Sequence, residues 1–245
     1  MNQLKIALQI LTVFPVPGPK KMELRYIGEG IRYFTLIGLG IGGILAGLAY
    51  LGAQVLPLSV VCALLPLVLA IIAGGSHMDG LMDTADGLGS RREREKMLMI
   101  MKDSRVGAYG VMFGASSFLL KYVLLSALPA HLFYTAIVLF PVFGRWAIAF
   151  SACLFPYARP DGLGKPFAEY SGWKEMLAAT LVLLLPLFFL LHIAGLVIWA
   201  LVMLLLGLFN CWLTKVLGGL TGDTYGAACE TAEIAFLLLA VAFFR

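Results

Sequence analysis

The chain has 245 residues, of which 61% are hydrophobic and only 13% charged, with a mean hydropathy of +0.93 and a net charge of +4. A soluble domain is about 45–50% apolar and about 25% charged, so the composition excludes a disordered chain, a fibrous protein and an ordinary cytosolic enzyme. It predicts an all-α polytopic membrane helix bundle, in which the positive charge marks basic loops rather than a nucleic-acid partner.

The first predicted element, residues 4–14, is apolar but too short to cross a bilayer, and we expect it to lie in the membrane interface. A span needs about 20 apolar residues. Seven later stretches qualify, of which the second and the last are short: 35–56, 58–75, 107–128, 131–155, 176–194, 196–214 and 229–244. The sequence therefore predicts a single integral membrane domain over residues 1–245, with about seven transmembrane helices.

The basic residues predict the orientation of these spans. With seven spans, 15 of the 18 Lys and Arg residues share one side, in segments 1–34, 76–106, 157–175 and 215–228. An excess of this kind marks the cytoplasmic side. We expect a bacterial-type cytoplasmic membrane, a cytoplasmic N-terminus and an external C-terminus. Because the opposite loops are short and nearly uncharged, the pattern favours chemistry at the cytoplasmic surface over transport.

The densest polar cluster follows the second span. Asp79, Asp83 and Asp86 stand at i, i+4 and i+7, a spacing that places three carboxylates on one face of a helix. Without partners they would repel one another, and a hard divalent cation would neutralise them. With no Cys nearby, the pattern favours Mg²⁺ over zinc. His77, just before them, is a candidate ligand, base or boundary residue.

A mixed-charge run begins at Arg91 and is interpreted mainly as a solvated helix face. Lys102 and Arg105 then flank Asp103, just before the third span. Lys and Arg at such a place can hold phosphate oxygens. Asp103 could complete a four-carboxylate metal site. Interleaved acids and bases of this kind suit a substrate that carries a pyrophosphate and its Mg²⁺.

Two basic residues fall inside spans. Lys121 lies near the outer end of the third span and is expected to snorkel. Arg145 in the fourth span is costly and therefore a functional candidate. We expect it to face a cavity open to the cytoplasm and to pair with substrate phosphate or with Glu230 or Glu233. These two carboxylates, at i, i+3 in the last span, need a metal, an arginine or a substrate amide as partner.

Two glycine-rich loops are predicted to bind ligand. The loop 156–167 carries Arg159 and Lys165, and the loop 218–227 carries Thr221 and Asp223. Each signal is weak when taken alone.

Three motifs together are more specific: GGSHMDGLMDTADGLG (74–89), MKDSRVGAYG (101–110) and GGLTGDTYGA (218–227). In this order they resemble the cobalamin synthase family, the adenosylcobinamide-GDP ribazoletransferases, and weaker matches extend over almost the whole chain. The resemblance implies a Mg²⁺-dependent membrane transferase that joins adenosylcobinamide-GDP to α-ribazole or its 5′-phosphate and releases GMP. Its partners would be these two substrates and the lipid bilayer; the residues leave a homo-oligomer open.

The resulting hypothesis assigns roles to individual residues. Asp79, Asp83, Asp86 and Asp103 would hold the metal, and Asp86, Asp103 or His77 would act in catalysis. The substrate would be bound by ten residues: Arg91, Lys102, Arg105, Arg145, Arg159, Lys165, Thr221, Asp223, Glu230 and Glu233.

Three alternatives are compatible with parts of this pattern. The segment from Asp83 to Arg91 resembles the first half of the CDP-alcohol phosphotransferase motif, with Ser90 in place of Ala, but the second half of that motif is absent. A phospholipid enzyme of that type is therefore one alternative. A divalent-cation transporter is another, although it would need polar residues through the outer leaflet. A non-catalytic membrane scaffold is the third.

Overall fold

The computed structural model describes residues 2–18 and 23–245. Within those ranges the regular structure is helical, and the β-structure is limited to an isolated bridge between Tyr157 and Leu220. A 3-10 turn (Gly30–Tyr33) precedes α3. Lys20 and Lys21, counted above among the cytoplasmic basic residues, lie outside the described ranges. The predicted all-α class is confirmed. The helices are α1 (Asn2–Leu11), α2 (Leu24–Glu29), α3 (Phe34–Gly52), α4 (Leu58–Ile72), α5 (Ser76–Gly89), α6 (Arg94–Ile100), α7 (Ala108–Ala127), α8 (Phe133–Leu154), α9 (Lys165–Tyr170), α10 (Trp173–Leu217) and α11 (Gly222–Phe244).

Five helical segments of the described chain are long and apolar enough to cross a membrane: Leu24–Gly52, α7, α8, α10 and α11. A sixth span results if α4 and α5, which are bent by 92° relative to each other, form one broken crossing. These helices belong to an integral membrane bundle. The predicted count of seven spans stays a prediction.

The sequence predicts two spans where the structure has one helical segment, α10. This segment has 45 residues and would be about 67 Å long if straight, more than twice the hydrocarbon thickness. The backbone of His192 is not helical (φ 50°, ψ −138°). A Cβ atom added to Gly195 would lie 2.9 Å from the carbonyl oxygen of Leu187, although eight residues span about 12 Å along a helix. The chain therefore folds back at His192, between the two predicted spans.

Helix α8 occupies the centre of the bundle, and its buried residues run around the whole helix. A helix that is apolar on all sides is typical of such a position. Helix α3 packs against α8 through two glycines four residues apart: a Cβ at Gly38 would lie 2.8 Å from the carbonyl oxygen of Pro141, and Gly42 lies against Val138. Small residues at this spacing let membrane helices approach closely.

The bend between α4 and α5 is made by two consecutive glycines, Gly74 (φ 62°) and Gly75 (φ 73°), in the left-handed region that favours glycine. The bend lets α5 pack against both α7 and α11. The three carboxylates of α5 are therefore part of the helix bundle, not of a solvated loop.

The last helix begins at Gly222, seven residues before the predicted start of the last span. Thr221 caps it: its hydroxyl accepts from the Thr224 amide at 3.2 Å, and its own amide donates to the Thr224 hydroxyl at 2.7 Å. The predicted span began too late because Asp223 and two glycines interrupt the apolar run over residues 222–228. In the structure Asp223 is paired with Arg159.

Candidate active site

Four carboxylates meet where α5 touches the first turn of α11. Asp79, Asp83 and Asp86 project from α5, and the charges of Asp79, Asp223 and Asp86 all act on Asp83. The two helices approach closely at Gly80, where an added Cβ would lie only 2.6 Å from the backbone carbonyl oxygen of Asp223. Asp79 is exposed and the other three are partly buried, so the cluster is accessible from outside.

Arg159 supplies the positive charge beside this cluster. Its Nη2 lies 2.8 Å from Oδ2 of Asp223, and its Nε is buried without a hydrogen-bond partner in the described structure. The loop of Arg159 is held by the bridge to the segment before α11: the Ala158 amide donates to the Leu220 carbonyl, and the Leu220 amide donates to the Pro156 carbonyl, each at 2.7 Å. The two glycine-rich loops are therefore neighbours, and together they bring Arg159 to Asp223.

Two other loop residues shape this region. The Thr221 hydroxyl, besides capping α11, donates to Oδ2 of Asp223 at 3.3 Å. The Lys165 ammonium donates to the Pro160 carbonyl at 2.6 Å and lies 3.3 Å from a Glu169 oxygen. Thr221 thus orients an acidic residue of the cluster, whereas Lys165 closes its own loop.

Asp86 is bound to the beginning of α7. Its Oδ2 accepts from the Gly107 amide at 2.7 Å, and its Oδ1 accepts from the Gly110 amide at 2.8 Å. A carboxylate at a helix N-terminus satisfies otherwise unpaired amides and interacts favourably with the helix dipole. With both oxygens engaged, Asp86 joins α5 to α7 and is less available for a metal or a substrate proton.

Asp103 does not join the cluster. In the exposed loop between α6 and α7, Arg105 donates to both carboxylate oxygens of Asp103: Nε lies 3.0 Å from Oδ1, and Nη2 lies 2.7 Å from Oδ2. This hydrogen-bonded guanidinium holds the pKa of Asp103 at about 2, well below its ordinary value. Such a carboxylate is a weak base at neutral pH. The structure therefore corrects the placement of Asp103 in the metal site, because a neighbour two residues away satisfies it locally.

The remaining basic candidates lie at the edge of the same region. Lys102 Nζ is 3.6 Å from Oδ1 of Asp161, and both side chains are exposed. Arg91 is also exposed and has a φ of 50°, immediately after α5. Together with Arg105, these side chains are accessible to an anionic substrate, and their predicted role in phosphate binding stays a prediction.

Glu230 and Glu233 lie deeper in the bundle, where each has a cationic partner. Arg145 Nη1 donates to Oε1 of Glu233, and Lys121 Nζ lies 2.8 Å from Oε2 of Glu230 and also contacts Glu233. Ser117 donates to Oε2 of Glu230 at 2.6 Å. All four charged side chains are at most 7% exposed.

This arrangement corrects two expectations. Arg145 pairs with Glu233, but its side chain is fully buried and does not line a cavity open to the cytoplasm. Lys121 does not snorkel, because α11 offers two carboxylates at its level in the bundle. The described structure therefore does not place Arg145, Glu230 and Glu233 where a substrate would contact them.

His77 lies between the two groups of charges. It is buried in the first turn of α5 against Gly226, where an added Cβ would lie 2.9 Å from the His77 carbonyl oxygen. It also lines a cavity of about 10 Å³ beside Arg145 and Glu233, which is room for about one water molecule. This position makes His77 a buried boundary residue, and its predicted catalytic role is not supported by direct access to substrate.

The whole chain can be compared with known proteins. Residues 3–241 match the family model of cobalamin-5-phosphate synthase. The chain belongs to this family. No solved structure gives a significant match.

Curated relatives cover nearly the whole chain. A protein from Roseiflexus sp. (strain RS-1) is 43% identical over 232 residues, covering 94% of this chain and 86% of the relative. A protein from Desulfitobacterium hafniense (strain Y51) is 40% identical over 244 residues, covering 97% and 96%. Both are named adenosylcobinamide-GDP ribazoletransferase.

The donor set of the acidic cluster suits Mg²⁺. Within the described ranges, no three Asp, Glu, His or Cys side chains are already arranged as a ligand set. Mg²⁺ does not require one, because it keeps several waters and is usually held by one or two carboxylates together with substrate phosphates. Asp79, Asp83 and Asp223 offer hard oxygen ligands, and within the described part of the chain Arg159 is the cation that opposes their charge.

Two residues have surroundings that were not predicted from the sequence. Asp223 was assigned to a binding loop, yet it lies with the α5 carboxylates, and the backbone contact at Gly80 that brings it there has no sequence signature. Lys121 could have been found: a lysine in one span and two glutamates in another are complementary charges that a bilayer forces to meet.

Proposed function

We propose that the chain joins adenosylcobinamide-GDP to α-ribazole or its 5′-phosphate and releases GMP, in a Mg²⁺-dependent reaction at the cytoplasmic end of the bundle. Its family and the names of its relatives make it a transferase of cobalamin biosynthesis. The observation that carries the finer proposal is the meeting of Asp79, Asp83 and Asp223 beside Arg159. In the described part of the chain, no contact favours the phospholipid-enzyme or the transporter alternative over this one.

The proposed chemistry follows from this arrangement. Asp79, Asp83 and Asp223 would hold Mg²⁺, which supplies neutralising charge to the pyrophosphate and to the leaving GMP. Arg159 binds a phosphate oxygen through its planar guanidinium, while Asp223 keeps it oriented. A ribose hydroxyl attacks the phosphorus next to the cobinamide arm; one P–O bond forms, and the bond to the GMP oxygen breaks.

The proton of the attacking hydroxyl needs an acceptor. Asp86 is bound to two backbone amides, and Asp103 is held by Arg105. Asp83 is partly buried among the other carboxylates of α5 and makes no such hydrogen bond within the described structure. We therefore assign it this role in addition to metal binding: one of its oxygens would bind Mg²⁺, and the other would accept the proton. In this proposal Asp83 takes the role for which the sequence suggested Asp86, Asp103 or His77.

The decisive test uses purified protein with adenosylcobinamide-GDP, α-ribazole and Mg²⁺, followed by analysis of the corrinoid product and of GMP. We expect Asp83→Asn to lower turnover at least about 100-fold, the upper range for disturbing a metal's surroundings, and chelation to abolish it. Asp161→Asn, which removes an exposed carboxylate that pairs only with Lys102 in the described structure, is the matched control. Near-normal turnover of Asp83→Asn, or full activity without divalent metal, would refute the proposed site.

We further propose that residues 1–245 form one integral domain of the bacterial cytoplasmic membrane, with the N-terminus and the acidic cluster cytoplasmic and Arg245 external. The bias of basic residues supports this orientation. A phosphatase fused to the C-terminus should be active and a cytoplasmic fluorescent reporter should not be; the opposite result would overturn the topology.

A further inference from the structure

The buried charges between α7, α8 and α11 form a balanced set. Lys121 and Arg145 contribute two positive charges, and Glu230 and Glu233 contribute two negative ones, all in contact through three ion pairs. An unpaired charge would be costly at this depth. We call these four residues the buried charge cluster. It takes no part in the chemistry proposed above.

The buried charge cluster lies on the same helix as part of the acidic site. Asp223 and Glu230 are seven residues apart on α11, which is about two turns and places them on one face. Between them, Gly226 lies against the backbone of His77 in the first turn of α5. The face of α11 that carries Asp223 and Glu230 therefore packs against α5 from Gly80 to His77. It reaches the buried charge cluster just beyond the N-terminal end of α5.

Helix α7 links the same two levels. Near its start, the amides of Gly107 and Gly110 bind Asp86 of α5. Farther along, Lys121 binds both glutamates of α11. A shift of α11 along α7 would thus break the buried ion pairs and at the same time move Asp223 relative to the carboxylates of α5.

We propose that Lys121 and Arg145 are positioning residues, which fix α11 against α7 and α8 and thereby set the distance of Asp223 from Asp83. Apolar packing alone selects one position of a membrane helix weakly, because the lipid is as apolar as the neighbouring helices. Four interlocking charges select it strongly, because any displacement leaves a buried charge without a partner. This inference rests on the proposed function of the acidic site.

The test removes one charge of each sign. The double variant Lys121→Met/Glu230→Gln stays neutral and keeps the pair of Arg145 with Glu233. We expect it to fold in detergent, to lose about 10–100-fold in kcat, and to need more Mg²⁺ for half-maximal activity. The KM for adenosylcobinamide-GDP should change less than about threefold, because the loss affects the transition state rather than binding.

Asn210→Leu is the matched control. It removes a buried hydrogen bond between helices, from Asn210 Nδ2 to Ser151 Oγ at 2.9 Å, that joins α10 to α8 and involves no residue of the acidic site or of the buried charge cluster. It should change the melting temperature but leave kcat and the Mg²⁺ requirement unchanged. The proposal is overturned if the double variant keeps both parameters within about twofold or if Asn210→Leu shows the same kinetic loss. It is also overturned if the double variant does not fold, which would assign the cluster to folding alone.

Comparing the double variant with Asp83→Asn distinguishes a failure of the positioning role from a failure of the proposed metal site. If Asp83→Asn is inactive and the double variant is normal, the acidic site stands and the positioning role fails. If Asp83→Asn is fully active while the double variant loses kcat, the proposed metal site fails, and the cluster positions some other part of the active site.

Discussion

The contact between Gly80 of α5 and the backbone of Asp223 can be tested with a single methyl group. In Gly80→Ala, the new Cβ would lie 2.6 Å from the Asp223 carbonyl oxygen, and ordinary contact begins at 3.4 Å. The two backbones must therefore separate by about 0.8 Å, since neither atom belongs to a flexible side chain. A misplacement of about 1 Å can cost about 100-fold in rate, so we expect kcat to fall about 10- to 100-fold.

The effect on stability should be smaller than the effect on rate. Alanine is favoured over glycine within a helix by about 0.5–1 kcal/mol, whereas forcing a methyl group into a packed contact costs about 1–3 kcal/mol. Thermal unfolding in detergent and steady-state kinetics measure the two effects. Gly40→Ala is the control, because a Cβ at Gly40 in α3 meets no atom within 4 Å. If Gly80→Ala were as active as Gly40→Ala, the close approach would not control the site.

Two further predictions follow from the ion pairs. Asp103→Asn should keep activity within about threefold and leave the pH–rate profile unchanged between about pH 5 and 9. The pKa of Asp103 is lowered to about 2, so the carboxylate stays ionised throughout that window, and any stabilisation it gives is lost only as the pH falls toward 2; a large loss of kcat would restore it as a candidate base. Arg145→Leu should destabilise the protein by about 3–5 kcal/mol, because the remaining charges are unbalanced. Adding Glu233→Leu should recover most of that stability in thermal unfolding, and no recovery would show that the pair is not coupled.

The helices could be predicted from the sequence because their signal is local. Runs of apolar residues located α3, α4, α7, α8 and the two halves of α10 to within a few residues. The error of seven residues at the start of α11 has a different origin. Residues 222–228 contain Asp223 and two glycines, so they do not look like part of an apolar run. These turns are helical because Thr221 caps them and because Arg159, from another loop, pairs with Asp223.

The candidate site was predictable only in part, for the same reason. The spacing of Asp79, Asp83 and Asp86 placed them on one face of α5, but it could not show that Asp86 would bind the amides of α7. The fourth carboxylate of the cluster is Asp223 rather than Asp103, although Asp103 is much nearer in the sequence. Which residues meet depends on glycine contacts between helices, and these are set by packing.

Helix α11 contributes to two groups of charged residues, the buried charge cluster and the accessible acidic cluster, and their charge balance differs. In the buried charge cluster, positive and negative side chains are equal in number, and the longer glutamate side chains reach partners on α7 and α8. At the accessible level, the shorter aspartates meet because the helix backbones touch at Gly80. Among the described residues, the cation beside Asp79, Asp83 and Asp223 is Arg159. Among the described residues, the buried charge cluster is therefore balanced, whereas the acidic cluster has surplus negative charge at a level that solutes can reach. A divalent cation that arrives with a pyrophosphate substrate would balance that surplus, and this is why we propose Mg²⁺ at this level of the bundle.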